Sequence, residues 1–204
     1  MLTSRYKSSI NQALIPLARG LAAVGISPTA LTLAAPALTA LACLWFLRAR
    51  AVVPFCLAMG AIGALDGLDG AVARASGRAT KFGAYLDAVC DRYVDAITAL
   101  AVARVTGYWG LTAVVLIGAL LVSYAKARAA MEVPVSNQEW PDLMERTERG
   151  VVFLAGLAAS AVIPWRPLGR DLFWWTLLGL AILIHLTVLQ RILRAKRLIE
   201  ARTR

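Results

Sequence analysis

The stretch DGLDGAVARASGRATKFGAYLDAVCDRYVD, residues 66–95, decides how the chain is read. It holds five of the twelve acidic residues, Asp66, Asp69, Asp87, Asp91 and Asp95, inside two otherwise apolar segments joined by a short basic turn. Ionisable groups at membrane depth cost several kcal/mol unless they are paired, solvated or bound to a cation. Asp66 and Asp69 are three apart and Asp87 and Asp91 four apart, so each pair projects from one face of its own helix. With so short a turn between them, the two helices are expected to lie side by side and antiparallel, and the two pairs to form a four-carboxylate box.

Apolar runs continue from this stretch in both directions. Of 204 residues, 59% are hydrophobic and 17% charged, where soluble domains carry about 25% charged residues. Runs near 28–47, 51–73, 82–105, 109–130, 149–165 and 171–193 predict six membrane-spanning helices. They leave no room for a sizeable water-soluble domain, so any chemistry sits in or beside the bilayer. The expected fold is an all-α integral membrane bundle forming one domain over 1–204. Residues 1–25 supply an amphipathic interfacial helix and the loop after it, and 26–204 the six-helix bundle. Within 6–21, Ile10, Leu14, Leu17, Ala18 and Leu21 share one helical face, which suits a helix lying in the interface and is too polar overall for the core of a cleavable signal peptide. Ser27-Pro28 marks the start of the first span, since Ser can cap free amides and Pro fits the first turn. Cys43, Cys56 and Cys90 lack metal-ligand spacing and read as small buried hydrophobes.

The net charge of +10 does not point to nucleic acid, because the cations lie between apolar runs and not on one face of a soluble body. Sixteen Lys and Arg fall on the side that carries both termini and five on the other, which places both termini, and the acidic cluster's side of the bundle, in the cytoplasm. Tyr108, Trp109, Trp165, Trp174 and Trp175 gather where the outer interface is expected.

A box of hard oxygen ligands selects Mg²⁺, Mn²⁺ or Ca²⁺ over zinc. Four carboxylates exceed what one divalent ion balances; two ions, ~4 Å apart, would balance them and grip a diphosphate. The structural alternative is a set of aspartates paired with Arg74, Lys81 and Arg92 to hold helices together. Gly70 and Gly83 either admit a base or phosphate to the backbone or mediate close helix contact. Arg74 either forks onto phosphate oxygens or snorkels to the interface. Asp95 is expected to partner Arg92 or a neighbouring helix. His185, alone in an apolar span, reads as a packed or interhelical hydrogen-bonding residue.

Asp66, Asp69-Gly70, Ala73-Arg74, Gly83, Asp87 and Asp91 spell D-x2-D-G-x2-A-R-x8-G-x3-D-x3-D without a gap. This resembles the signature of the CDP-alcohol phosphotransferases, integral membrane enzymes of phospholipid synthesis, and the six-span layout is similar to that family across nearly the whole chain. The resemblance implies transfer of a substituted phosphate from a CDP-linked lipid, CDP-diacylglycerol or CDP-archaeol, to an alcohol with release of CMP. It also implies dependence on Mg²⁺ or Mn²⁺, as two ions, and a homodimer. Carried over by position, Asp66, Asp69, Asp87 and Asp91 are metal ligands, and Asp91 is also the general base. Asp66, Asp69, Gly70, Ala73, Arg74, Thr80 and Gly83 then bind the CDP-lipid, with Arg74 on the diphosphate and Thr80 and Gly83 lining the nucleotide pocket.

The signature is silent on the acceptor. Lys126, Arg128, Arg146, Arg149 and Arg191 all fall on the expected cytoplasmic side, where they can hold an acceptor that is itself phosphorylated. The strings 123–129, 145–149 and 190–191 resemble stretches of prokaryotic phosphatidylinositol phosphate synthases. That resemblance implies inositol 1-phosphate as acceptor, its phosphate held by Lys126, Arg149 and Arg191. Glycerol 3-phosphate, as in a phosphatidylglycerophosphate synthase, is the alternative acceptor. A divalent-cation transporter is the alternative of another class, but the acids lie in one half of the chain only. Arg194, Lys196, Arg197, Arg202 and Arg204 suit orientation and contact with membrane lipid headgroups.

Overall fold

The computed structural model describes residues 27–134 and 144–202, together with Pro16, Arg19, Gly20, Val24 and Gly25. Apart from Pro16, Arg19 and Gly20, the interfacial helix expected over 6–21 lies outside the described residues, as does the middle of the 130–144 connection. Among those described, every regular element is helical: α1 Pro28–Ala49, α2 Val52–Ala75, α3 Lys81–Thr106, α4 Trp109–Glu132, α5 Arg146–Val162, a 3-10 turn Pro167–Gly169, and α6 Leu172–Arg202. The chain divides into two compact units, Leu2–Gly107 and Tyr108–Arg204.

In the first unit, α1 packs along both α2 and α3. Its buried face is Thr32, Ala35, Thr39, Cys43 and Phe46, a three-and-four spacing that keeps one stripe inward. Pro28 occupies the first turn as expected, but Ser27 stands at the cap position without a side-chain capping bond. Arg50 ends α1 in the left-handed conformation, its N–H donating to the Phe46 carbonyl at 2.8 Å. That tight reversal lets Phe46 stack on Phe55 of α2, with ring centroids 4.1 Å apart. At the other end Leu31 packs on buried Ala71 and Val72. α1 is the shared packing partner of α2 and α3, which meet each other through their acidic side chains. Thr80 caps α3, accepting a hydrogen bond from the Gly83 N–H at 3.0 Å.

In the second unit, α6 packs against α4 and α5. Both contacts are made close by glycine. A Cβ at Gly118 of α4 would lie 2.6 Å from Ile184 Cγ2, and one at Gly156 of α5 would lie 2.4 Å from Thr176 Cγ2. Small residues at such positions let helices approach where lipid supplies no hydrophobic drive for association. Tyr108 donates its hydroxyl to Asp171 at 2.9 Å, and Asp171 also accepts from the Trp174 N–H at 2.9 Å, pinning the start of α6 to the start of α4. His185 bonds the Ala181 carbonyl of its own helix at 2.9 Å; the residue is exposed, with its ring beside Gly118, and this hydrogen bond is not interhelical.

Among the described residues, four helices, α1, α2, α4 and α6, are long and apolar enough to cross a membrane. In α3 the acids and Arg92 interrupt the apolar run, and α5 has 17 residues. Large apolar side chains stand exposed on the long helices, Leu41 at 63% and Leu57 at 70% among them, as lipid contact allows and water does not. The protein is a multi-pass membrane protein.

Candidate active site

The acids arrive from two helices. Asp66 and Asp69 lie in the second half of α2, and Asp87 and Asp91 lie about two and three turns into α3. One carboxylate oxygen each from Asp66, Asp87 and Asp91 falls within 4.8 Å of the other two, all three side chains being partly buried. Oxygens that share one divalent ion at about 2.1–2.4 Å lie no farther apart than this. Three anions so close repel one another unless a cation compensates them, and an all-oxygen set suits Mg²⁺ or Mn²⁺. The residues present therefore fit a divalent cation.

Asp69 is placed differently from its expected position in a four-carboxylate box. It is buried, and its Oδ2 accepts a hydrogen bond from the Thr32 hydroxyl of α1 at 2.6 Å, while Oδ1 accepts from the Gly70 N–H. Sequence reasoning gave Thr32 no part. Its only local signal is that it is one of three threonines in a mostly apolar helix, one turn after Pro28.

The glycines of the signature can now be read. A Cβ at Gly70 would meet Arg74 Nη1 at 3.3 Å, and one at Gly83 would meet Thr80 Oγ1 at 3.2 Å, with no atom of another helix within 4 Å of either among the described residues. Both therefore make room for polar groups of their own helix, in contrast to the helix-contact glycines at 118 and 156. Gly70 clears space for the exposed guanidinium of Arg74, and Gly83 for the hydroxyl that caps α3. Ala73, one residue before Arg74, is partly buried. Arg92 pairs with Asp91 at 3.4 Å. One ion pair of the structural alternative is thus present, at the rim of the cluster.

The cations expected to hold the acceptor lie in the second unit. Arg191 of α6 is buried and donates to the Val122 carbonyl of α4, one helical turn before partly buried Lys126. Arg149 is buried in the first turn of α5 and donates to the Met144 carbonyl at 3.2 Å. Its helix begins at a capping box: the Glu145 and Glu148 side chains each accept from the other's backbone N–H, that of Glu145 reaching Glu148 at 3.0 Å. Buried guanidinium groups held by backbone carbonyls keep fixed positions.

Comparison with known proteins places this geometry. The family model for CDP-alcohol phosphatidyltransferase matches residues 25–187. The archaetidylinositol phosphate synthase of Pyrococcus horikoshii is 34% identical over 98% of this chain and 99% of its own length. The phosphatidylinositol phosphate synthase of Corynebacterium glutamicum is 33% identical over 88% of this chain and 82% of its own. Among solved structures, the phosphatidylinositol phosphate synthase of Mycobacterium tuberculosis with CDP-DAG bound superposes with a TM-score of 0.78 at 26% identity, covering 90% of this chain and 94% of that one. The same enzyme in complex with manganese and citrate superposes with a TM-score of 0.76 at 26% identity, covering 89% and 88%. The chain belongs to the CDP-alcohol phosphatidyltransferase family and is a membrane transferase of phospholipid biosynthesis.

Proposed function

We propose that this protein transfers the phosphatidyl-type group of CDP-diacylglycerol, or of its archaeal ether-lipid counterpart, to inositol 1-phosphate and releases CMP. The convergence of Asp66, Asp87 and Asp91 carries the chemical part of this reading. Buried Arg149 and Arg191, with Lys126 one turn from Arg191's bond, support a phosphorylated acceptor. The two relatives at 34% and 33% identity, by name an archaetidylinositol phosphate synthase and a phosphatidylinositol phosphate synthase, support inositol 1-phosphate over glycerol 3-phosphate.

In this reading Asp66, Asp69, Asp87 and Asp91 hold two Mg²⁺ or Mn²⁺ ions, which neutralise the diphosphate and stabilise CMP as leaving group. Arg74 donates to the diphosphate oxygens from beside Gly70 and Ala73, and Thr80 and Gly83 line the nucleotide side. Lys126, Arg149 and Arg191 fix the acceptor's phosphate. Asp91 takes the proton from the acceptor hydroxyl as its oxygen attacks the β-phosphorus; the bond from that phosphorus to the bridging oxygen breaks, and CMP departs. The protein acts as a homodimer of six-span subunits, with both termini and the active site on the cytoplasmic side.

The test is acceptor competition. Purified protein with CDP-diacylglycerol or CDP-archaeol and Mg²⁺ or Mn²⁺ is given inositol 1-phosphate, glycerol 3-phosphate or inositol, and CMP release is measured. The highest kcat/KM is expected with inositol 1-phosphate. A preference for glycerol 3-phosphate or for unphosphorylated inositol overturns the acceptor assignment.

A further inference from the structure

We propose that Thr32 is a positioning residue for Asp69: its hydroxyl holds one carboxylate oxygen and thereby fixes the rotamer from which Asp69, standing beside the three converging acids, serves the divalent-cation site. The inference rests on the metal-site reading above and deepens it. Thr32 and Asp69 are both buried, on α1 and α2, and their side chains meet at 2.6 Å. A helical threonine with nothing better to bind returns its proton to the carbonyl four residues back. That carbonyl, of Pro28, is 3.1 Å from the Thr32 hydroxyl, farther than the carboxylate oxygen. One proton faces two acceptors, and the nearer, anionic one takes it.

The consequence concerns freedom of rotation. Asp69 is the one acid of the signature whose oxygens are not among the three that converge. Asp69 lies three residues after Asp66 and so can turn toward the same face or away from it. A hydrogen bond to one oxygen removes that choice. Outer hydrogen bonds of this kind orient ligating carboxylates, and their loss typically costs about 10–100-fold in metal affinity. The same face of α1 supplies its own control. Thr39, seven residues on, is fully buried, and its hydroxyl has no partner among the described residues.

The experiment compares wild type, Thr32→Val, Thr32→Ser and Thr39→Val, each purified in detergent without lipid substrate. Free Mn²⁺ is followed by its paramagnetic resonance signal during titration. Thr32→Val is expected to weaken Mn²⁺ binding about 10–100-fold, Thr32→Ser to remain near wild type because it keeps the donor, and Thr39→Val to match wild type. The Mn²⁺ concentration for half-maximal CMP release should shift in the same order, with the rate of Thr32→Val recovering at high Mn²⁺. Wild-type Mn²⁺ affinity in Thr32→Val overturns the proposal and leaves the metal site standing. Equal losses in Thr32→Val and Thr32→Ser, or in Thr39→Val, overturn it in favour of helix packing. Failure of wild type itself to bind Mn²⁺ overturns the metal site and this role together.

Discussion

Replacing Asp91 by Asn separates a cation-binding carboxylate from a structural one, because the two roles give opposite signs in the metal-free protein. Two unit charges 4.8 Å apart repel by about 3.5 kcal/mol at an effective dielectric constant of ~20. Asp91 faces two such partners, Asp66 and Asp87, so its charge carries about 7 kcal/mol of repulsion. Arg92, 3.4 Å away, returns about 5 kcal/mol. The neutral, isosteric amide is therefore expected to stabilise the metal-free fold by about 2 kcal/mol, or roughly 4–8 °C in Tm for a chain of this size. Metal reverses the order. At a Mn²⁺ concentration 100 times the wild-type Kd, wild type gains about 2.7 kcal/mol, whereas a variant bound 100-fold more weakly gains less than about 0.5 kcal/mol. The assay is thermal unfolding in detergent, in chelator and in Mn²⁺, with CMP release measured on the same samples. Asp91→Asn should melt higher than wild type in chelator, respond little to Mn²⁺ and release no CMP. An Asp91→Asn protein that melts lower in chelator and rises with Mn²⁺ as wild type does would refute the reasoning and make Asp91 a structural partner of Arg92.

Other substitutions test separate parts of the molecule. Gly70→Ala puts a methyl group 3.3 Å from Arg74 Nη1, so the KM for CDP-lipid should rise severalfold with little change in Tm; an unchanged KM removes Arg74 from the diphosphate site. Arg149→Ala and Arg191→Ala should raise the KM for inositol 1-phosphate more than that for CDP-lipid, and equal rises would trace the effect to folding. Gly156→Ala forces a methyl group to within 2.4 Å of Thr176 and should cost about 1–3 kcal/mol in thermal unfolding, against no cost if α5 and α6 pack elsewhere. Burial first, then the hydrogen bond to Asp171 and its charge, raise the Tyr108 pKa above its ordinary 10.0. A raised pKa means that the stabilisation is complete below the unfolded value and lost as pH climbs through the folded one. Wild type should therefore lose more stability than Tyr108→Phe as pH rises past about 10, and parallel losses would remove this latch.

The helices were legible because α1, α2, α4 and α6 are continuous apolar runs bounded by charge, and the aspartate spacing put two acids on one face of each of α2 and α3. Boundaries went astray where composition and backbone part company. The sixth run was read to end at 193, yet α6 continues to Arg202 because its last turns carry Leu198 and Ile199 among the cations and need no apolar surroundings to stay helical. The fifth was read to begin at 149, while the Glu145 and Glu148 capping box starts it at Arg146. That box was present as two glutamates three apart, but Glu is an unusual cap residue and the segment was read for its arginines. Thr32 was out of reach for another reason. Its partner is 37 residues away on a different helix, and no period or motif encodes a contact made only when α1 packs along α2. The pairing of Arg92 with Asp91 likewise depends on rotamers that spacing does not fix.

The account stands on carboxylates from α2 and α3 jointly holding divalent ions, and equilibrium dialysis of Mn²⁺ against wild type and single Asn variants at Asp66, Asp69, Asp87 and Asp91 tests it most directly. Bound Mn²⁺ in wild type, weakened by every one of the four substitutions, is the expected result. Binding that survives all four unchanged, or is absent from the wild-type protein, would contradict it.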